Sequence, residues 1–353
     1  MTAAGGMRVE RWTTTARFAV AAFSVLLAVL AFGPQLFSAG IVDHLTSLFI
    51  YVILAAMWNA LAGYGGLVSV GQQVFFGLGA YFAIRLADAG LDPFVSLVAG
   101  TLVVGVIALP VSAFMLRLRG GEFAIGMWVI AALAHLLVNL DTLVRGETGT
   151  SLIALNTYGT GPRRADIYWL ALAAMAVLLG ILFALLRSRS GAAVQAIRDD
   201  EEAAASLGVR VMRTKRILFV LAAIGAAMAG ALWLATSITF QPKAYFSVQW
   251  TAYMVFMVLV GGIGTFEGAI LGAVIFFLIE TWFAASGVWY LIGLGATALV
   301  FALLLPRGLW GAVEDRFGLR LLPVGYRLVA ASAGPLGGTG EEPAPAIRGG
   351  HDA

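Results

Sequence analysis

Apolar residues run along this chain in blocks of about twenty, separated by short polar or glycine-rich stretches, from near residue 18 to residue 305. A helix needs about 20 apolar residues to cross the hydrocarbon of a bilayer. The blocks predict ten spans, roughly 18–37, 41–62, 66–86, 93–116, 123–144, 166–186, 217–237, 249–264, 266–285 and 287–305. The eighth is short. The third lies within GYGGLVSVGQQVFFGLGAYF, residues 63–82, which carries six glycines and the adjacent Gln72 and Gln73. Glycine inside a helix costs about 1 kcal/mol in water. In a membrane, small residues also let helices approach closely. Gly63 to Gly66 therefore predict a broken or non-helical entry, and Gly71, Gly77 and Gly79 one smooth flank.

Composition agrees. Of 353 residues, 61% are hydrophobic and 12% charged, with a mean hydropathy of +0.93. The pattern predicts an all-α polytopic membrane protein of about ten transmembrane helices. Placing the N-terminus in the cytoplasm puts 17 of the 22 lysines and arginines inside, including seven between Arg187 and Arg216. Arg85, Arg145, Arg163, Arg164 and Lys243 remain outside. This asymmetry predicts an even number of spans with both termini cytoplasmic. The first apolar block also has the shape of a cleavable signal peptide, but the parity favours a first membrane helix. The expected division is a cytoplasmic segment 1–17, a membrane domain 18–311 and a cytoplasmic tail 312–353. That tail is rich in Gly, Pro and Glu without apolar period, and reads as disordered. The net charge of +3 reports cytoplasmic loops rather than nucleic-acid binding.

The chain has no cysteine, which excludes disulfides and thiolate chemistry. His44, His135 and His351 lie too far apart for a metal-ligand spacing. No phosphate-cradling G-x-x-x-x-G-K-[ST] loop occurs, so ATP hydrolysis would have to come from another chain. Polar residues inside spans are few: Asn59, His135, Asn139, Asp141 and Glu280. Asp141 and Glu280 fall near expected outer ends and His135 mid-span. No acidic relay through the membrane is evident, which argues against an ion-coupled carrier.

One interior loop, RSRSGAAVQAIRDDEEAAASLGVRVMRTKR at 187–216, is rich in helix formers from Gly191 to Leu207, with Gly208 as a stop. It predicts a short helix on the cytoplasmic face. Ala192, Val194, Ala196 and Ile197 form its apolar side and Arg198 to Glu202 its charged side. Such a helix suits docking onto a cytoplasmic partner. The rival is a diphosphate–Mg²⁺ site at Asp199 and Asp200, as in membrane prenyl transferases. That needs oxygens converging from two segments, and only one acidic cluster is present.

Within the loop, Glu202-Ala203-Ala204, three residues and then Gly208 fit the E-A-A-x-x-x-G pattern of ABC importer permeases. The Ile and Leu-Pro that usually follow are replaced by Leu218, Phe219 and Val220. With residues 63–82, LRLRGGEFAI (116–125), SRSGAAVQAIRDDEEAAASLGV (188–209), AAMAGAL (226–232), MVLVGGIGTFEGAILGAV (257–274) and LPRGLWG (305–311), the chain resembles the branched-chain amino-acid ABC permease family, M-type. The resemblance implies no covalent chemistry and no cofactor. It implies a second, H-type permease, two cytoplasmic ATPases, an extracytoplasmic substrate-binding protein and a place in the bacterial inner membrane. By the same resemblance, Arg198, Asp199, Glu202, Ala203, Ala204 and Gly208 couple to the ATPase. Branched-chain or other apolar amino acids are the implied substrates, with urea and short amides carried by relatives. Departures at Gln72 and Gln73, where a His is common, and at Thr148-Gly149-Thr150 leave the substrate open.

Irregular backbone at membrane depth is tolerated only against protein or a water-lined cavity. Ser69, Gly71, Gln72, Gln73, Gly77 and Gly79 are therefore candidate lining of a translocation path, with interhelical packing as the other reading. A second glycine turn, GGIGTFEGAILGA at 261–273, echoes the first: Gly65-Gly66-Leu67-x-Ser69-Val70 aligns with Gly261-Gly262-Ile263-x-Thr265-Phe266. Paired broken segments mark transporter pathways, which adds Gly261 and Gly262 to the candidates.

Overall fold

The structure, a computed structural model, describes residues 7–10, 14–318, 321–322 and 327–330, with side chains at 17–318 and 321–322. Helix α1 (Thr14–Ala31) and a single turn α2 (Gly33–Leu36) lead into α3 (Ala39–Asn59), which continues as a π-helical turn over Ala60–Tyr64. Then come α4 (Gln73–Asp88), α5 (Pro93–Met115), α6 (Gly120–Asn139) and α7 (Thr160–Arg187). The interior pair α8 (Arg189–Asp199) and α9 (Glu201–Ser206) precedes α10 (Val211–Ser237). A single turn α11 (Pro242–Tyr245), α12 (Val248–Gly261), α13 (Phe266–Phe283), α14 (Val288–Leu304) and α15 (Gly308–Phe317) complete the helices.

Among the described residues, eight helical stretches are long and apolar enough to cross a membrane. The first and third expected spans fall short of that. α1 supplies a shorter apolar stretch, Arg17–Ala31, and α4 has only 16 residues. The expected helix over 66–86 starts at Gln73, because Gly66 at φ +67° turns the chain out of helical geometry. Residues 66–72 instead run back beside α3, where the Trp58 indole donates to the Ser69 carbonyl at 2.9 Å.

α3 is the centre. From Phe49 to Asn59 every residue is buried, as expected of a helix apolar on all sides. It packs against α7, α10, α12 and α13, while α4 and α5 pack on each other and on α10. The α4–α10 contact depends on reciprocal glycines. A Cβ at Gly79 would lie 2.1 Å from the Ala227 carbonyl oxygen, and one at Gly230 would lie 1.9 Å from that of Phe76. Each helix thus presses its bare backbone onto the other. The α6, α13 and α14–α15 stretches are the least buried, at 28%, 28% and 11%.

Two small sheets mark the two ends of the bundle. β2 (Thr150–Ser151) pairs antiparallel with β3 (Thr239–Phe240), joining the α6–α7 and α10–α11 connections. β1 (Met7–Glu10) pairs antiparallel with β4 (Arg327–Ala330), Met7 opposite Ala330. The segments 7–10 and 327–330 therefore lie side by side. α15 runs past the expected boundary at 311, and β4 falls inside the segment expected to lack structure. Residues 319–320, 323–326 and 331–353 of that segment lie outside the described residues.

Candidate functional site

The interior loop folds as two helices, not one. The Ser188 hydroxyl caps α8 by accepting from the Ser190 N–H at 3.1 Å. α8 buries Gly191, Val194 and Ile197, whereas Ala192 and Ala196 of the expected apolar side are exposed. Asp200 breaks the run. Its backbone is extended, at φ −155° and ψ 109°, and its carboxylate accepts from Glu202 N–H and Ala203 N–H at 2.9 Å each. Aspartate is a strong N-cap, and the acidic Glu201 and Glu202 of the first turn suit the helix dipole. Gly208, at φ +84°, closes α9. Its N–H bonds the Ala205 carbonyl and the Val209 N–H bonds that of Ala204. That is the two-bond glycine stop known as a Schellman motif.

This gives the E-A-A-x-x-x-G spacing a physical meaning. Ala204 is buried against the bundle, while Glu202, Ala203 and Leu207 project outward. Leu207 is 83% exposed. A part-buried ion pair, Lys215 Nζ to Glu201 Oε2 at 2.7 Å, fastens α9 to α10. The apolar knob of Leu207 thus stands on a segment whose Glu202, Arg210 and Arg213 are also exposed. Asp199 instead accepts from the guanidinium of its neighbour Arg198 at 2.9–3.0 Å. Among the described residues, no group of three His, Asp or Glu side chains converges to hold a metal, so Asp199 and Asp200 lack the second segment a diphosphate site requires.

Arg198 turns inward, away from the knob. Its Nη1 donates to the Gly63 carbonyl at 3.0 Å. Asn59, at the end of α3, then holds the second glycine turn: its Nδ2 donates to the Thr265 carbonyl and its Oδ1 accepts from the Gly264 N–H, both at 2.8 Å. A Cβ at Gly63 would lie 2.2 Å from Asn59 Oδ1 and 2.5 Å from Gly264 N. The two glycine turns that resemble each other in sequence therefore touch in space.

The other candidates are packed within the chain. Ser69, Gln72 and Gln73 are buried. Ser69 Oγ accepts from the Gly71 N–H at 3.3 Å, and the Gln73 carboxamide oxygen accepts from the Thr251 hydroxyl. Neither amide atom of Gln72 has a hydrogen-bond partner among the described residues. A Cβ at Gly71 would meet the Met127 carbonyl of α6 at 1.9 Å, one at Gly77 the Phe246 ring at 2.7 Å, and one at Gly261 the Gly268 carbonyl at 1.9 Å. Gly262, at φ +137°, faces the Arg307 carbonyl.

The opposite end of the bundle is held by carboxylates. Asp141 accepts from Arg85 Nε at 3.0 Å and from the Tyr81 hydroxyl. Burial pushes its carboxyl up, but Tyr81, the Leu143 N–H and Arg85 outweigh that and hold it below the usual range. Glu147 is likewise raised by burial and lowered on balance by Asn139, His135 and the Lys243 N–H. His135, expected mid-span, sits four residues from the end of α6, with Nε2 at 2.8 Å from Glu147. Its ring stacks on Phe246 at 5.7 Å. Glu280 does not simply reach water: it is half-buried and bonds the buried Tyr51 hydroxyl of α3.

The family described as "Branched-chain amino acid transport system / permease component" matches residues 40–306. The chain is similar to the high-affinity branched-chain amino acid transport system permease protein LivM of Escherichia coli (strain K12). The two are 29% identical over 326 residues, which is 84% of this chain and 76% of that protein. LivM of Salmonella typhimurium is 28% identical over 322 residues, covering 84% and 76%. LivM of Methanocaldococcus jannaschii is 24% identical over 248 residues, covering 64% and 70%. An inward-facing metal-chelate type ABC transporter of known structure superimposes with a TM-score of 0.43 at 16% identity, over 85% of this chain and 99% of that one.

Proposed function

The chain belongs to the branched-chain amino-acid transport permease family, and from that premise we propose that it moves branched-chain or other apolar amino acids into the cell. It is a multi-pass membrane subunit of an ABC importer. Its partners in this reading are an H-type permease, two cytoplasmic ATPases and an extracytoplasmic substrate-binding protein, in the bacterial inner membrane. Ten crossings with both termini cytoplasmic suit the lysine and arginine asymmetry and the pairing of β1 with β4. The loops holding Arg164 and Lys243 then face outward.

The observation that carries the reading is α9: a helix capped at both ends, fastened to α10, and presenting an exposed Leu207. Such a knob suits a groove on an ATPase. Closure of an ATPase pair would move α9 as a rigid lever and switch access to the path between the two permeases. Glu202, Ala203, Leu207 and Gly208 make the docking surface, and Ala204 seats α9 on the bundle. The glycine-rich segments at 63–82 and 261–273 provide the surfaces that rearrange, with Ser69, Gln72 and Gln73 beside the path.

Uptake of radiolabelled leucine by cells carrying the complete importer tests this. Glu202→Ala and Gly208→Trp should reach the membrane at normal levels yet abolish uptake. Gly208 has open space around it, so tryptophan there meets no neighbour within the chain and blocks a partner; its φ of +84° adds a backbone cost of about 1 kcal/mol, which Glu202→Ala does not share. Normal uptake by both variants would remove the docking assignment. Ion-driven uptake by vesicles holding this chain alone would replace the importer reading with a secondary carrier.

A further inference from the structure

We propose that Asn59 and Arg198 form a transmission joint, through which movement of the docking segment α8–α9 carries both glycine turns as one body. This rests on the docking reading above and adds the route by which the movement reaches the membrane domain.

The joint has three links. Arg198 lies in the last turn of α8, and its stem lies on Gly66, where an added Cβ would be 3.1 Å from Arg198 Cγ. Its guanidinium reaches the Gly63 carbonyl at 3.0 Å. Asn59 then spans from the first turn to the second with one donor and one acceptor, both used on backbone of the 264–265 stretch at 2.8 Å. The second turn in turn lies against the start of α15, where a Cβ at Gly308 would be 2.5 Å from Gly262 N. A displacement of α8 thus passes to α3 and α4, then to α12 and α13, and on to α15.

The chemistry suits a moving part. A carboxamide bridging two backbone groups is directional and neutral, so it fixes one turn relative to the other without burying a charge. Gly63 lets the backbones touch, and Gly264, at φ +75°, supplies a conformation other residues rarely adopt. The π-helical turn at Ala60–Tyr64 follows Asn59 directly. Such wide turns occur often at functional sites in helices. Arg198, with its side chain 36% exposed, joins this buried contact to the cytoplasmic surface.

The test measures ATP hydrolysis and substrate uptake on the same proteoliposomes containing the complete importer. Asn59→Leu and Arg198→Ala should retain the ATPase in pull-downs and keep hydrolysing ATP. Substrate moved per ATP should fall by about 5- to 150-fold, the range of typical coupling energies. The double variant should be no worse than Asn59→Leu alone, since both cut one route. Arg198→Lys keeps a donor for Gly63 and should recover part of the ratio. An unchanged ratio in the single variants, or losses that multiply in the double, overturns the joint. Loss of the bound ATPase in Arg198→Ala also overturns it, by making Arg198 a docking contact. If Asn59→Leu fails to assemble, Arg198→Ala, altered at a half-exposed side chain, decides. If the unmodified chain retains no ATPase, the docking reading itself has failed.

Discussion

The glycine-turn contact and the connections at the opposite end of the bundle are fastened by different chemistry. At the glycine turns, the bonds run from the Asn59 carboxamide and the Arg198 guanidinium to backbone groups. At the far end, connections are stapled by carboxylates: Asp141 to Arg85, Glu147 to His135 and Asn139, Asp43 to Arg164 and Asp92 to Tyr158. The first kind of contact takes backbone carbonyl and N–H groups as its partners. The second rests on carboxylates, of which Asp92, Asp141 and Glu147 are held below the usual range. The difference sets backbone-directed bonds against carboxylate staples that acid loosens.

Both ends hang on one centre, and the strongest way to break the comparison is to break that centre. Gly79→Leu forces a side chain into the Ala227 backbone. We expect a loss of about 3 kcal/mol or more, seen as a sharp fall in monodisperse protein after detergent extraction. Both ends should lose protection together. Wild-type recovery would show that the α4–α10 approach is not required.

Next in size is the α9 fastening. Lys215→Ala leaves Glu201 half-buried without its partner. A cost of about 2 kcal/mol should appear as faster proteolysis at 199–210, with the Asp141 end unaffected. Equal protection in the variant would mean that α9 is held by apolar packing alone.

A smaller effect is expected at the α9 stop. Gly208→Ala forces a side chain into φ +84° and should cost about 1 kcal/mol. Gly208→Asn, which tolerates this conformation, should cost less. Amide exchange at Val209 reads the difference, and equal exchange in the two variants would contradict the role given to backbone conformation.

The gentlest test is acid. Asp141 and Glu147 have folded-state values held below the ordinary range. Their contribution is fully present above the unfolded values and is lost as pH falls through the folded ones. Lowering pH from 7 to below about 4 should speed intrinsic-rate-corrected amide exchange in residues 140–159 and leave the Gly264 N–H protected. Loosening of Gly264 first would reverse the comparison.

Much of this was legible in the sequence because lipid imposes it. Apolar blocks of the right length located the eight helical stretches that are long and apolar enough to cross a membrane, since an unpaired backbone cannot stand in hydrocarbon. Gly208 announced the stop of α9 because a left-handed cap favours glycine. What stayed hidden was long-range or competitive. Asn59 read as an ordinary polar residue within a span, but its partners lie 205 and 206 positions away. Arg198 read as part of a charged outer face, yet it bonds a carbonyl 135 residues earlier. Asp200 sat in a helix-favouring run, but its carboxylate competes for backbone N–H groups and starts a new helix. Gln73 and Gly77 left lining and interhelical packing both open, because the partners they meet, Thr251 and Phe246, come from a distant part of the chain.

The central claim is that α9 docks an ATPase, and the most direct measurement is affinity purification of the tagged chain in mild detergent followed by mass spectrometry. The account predicts that an ATPase and a second permease co-purify with the unmodified chain, and that the ATPase is lost when Glu202→Ala and Gly208→Trp are introduced while the second permease stays. Recovery of the chain without any ATPase, or an ATPase equally retained by both variants, would contradict it.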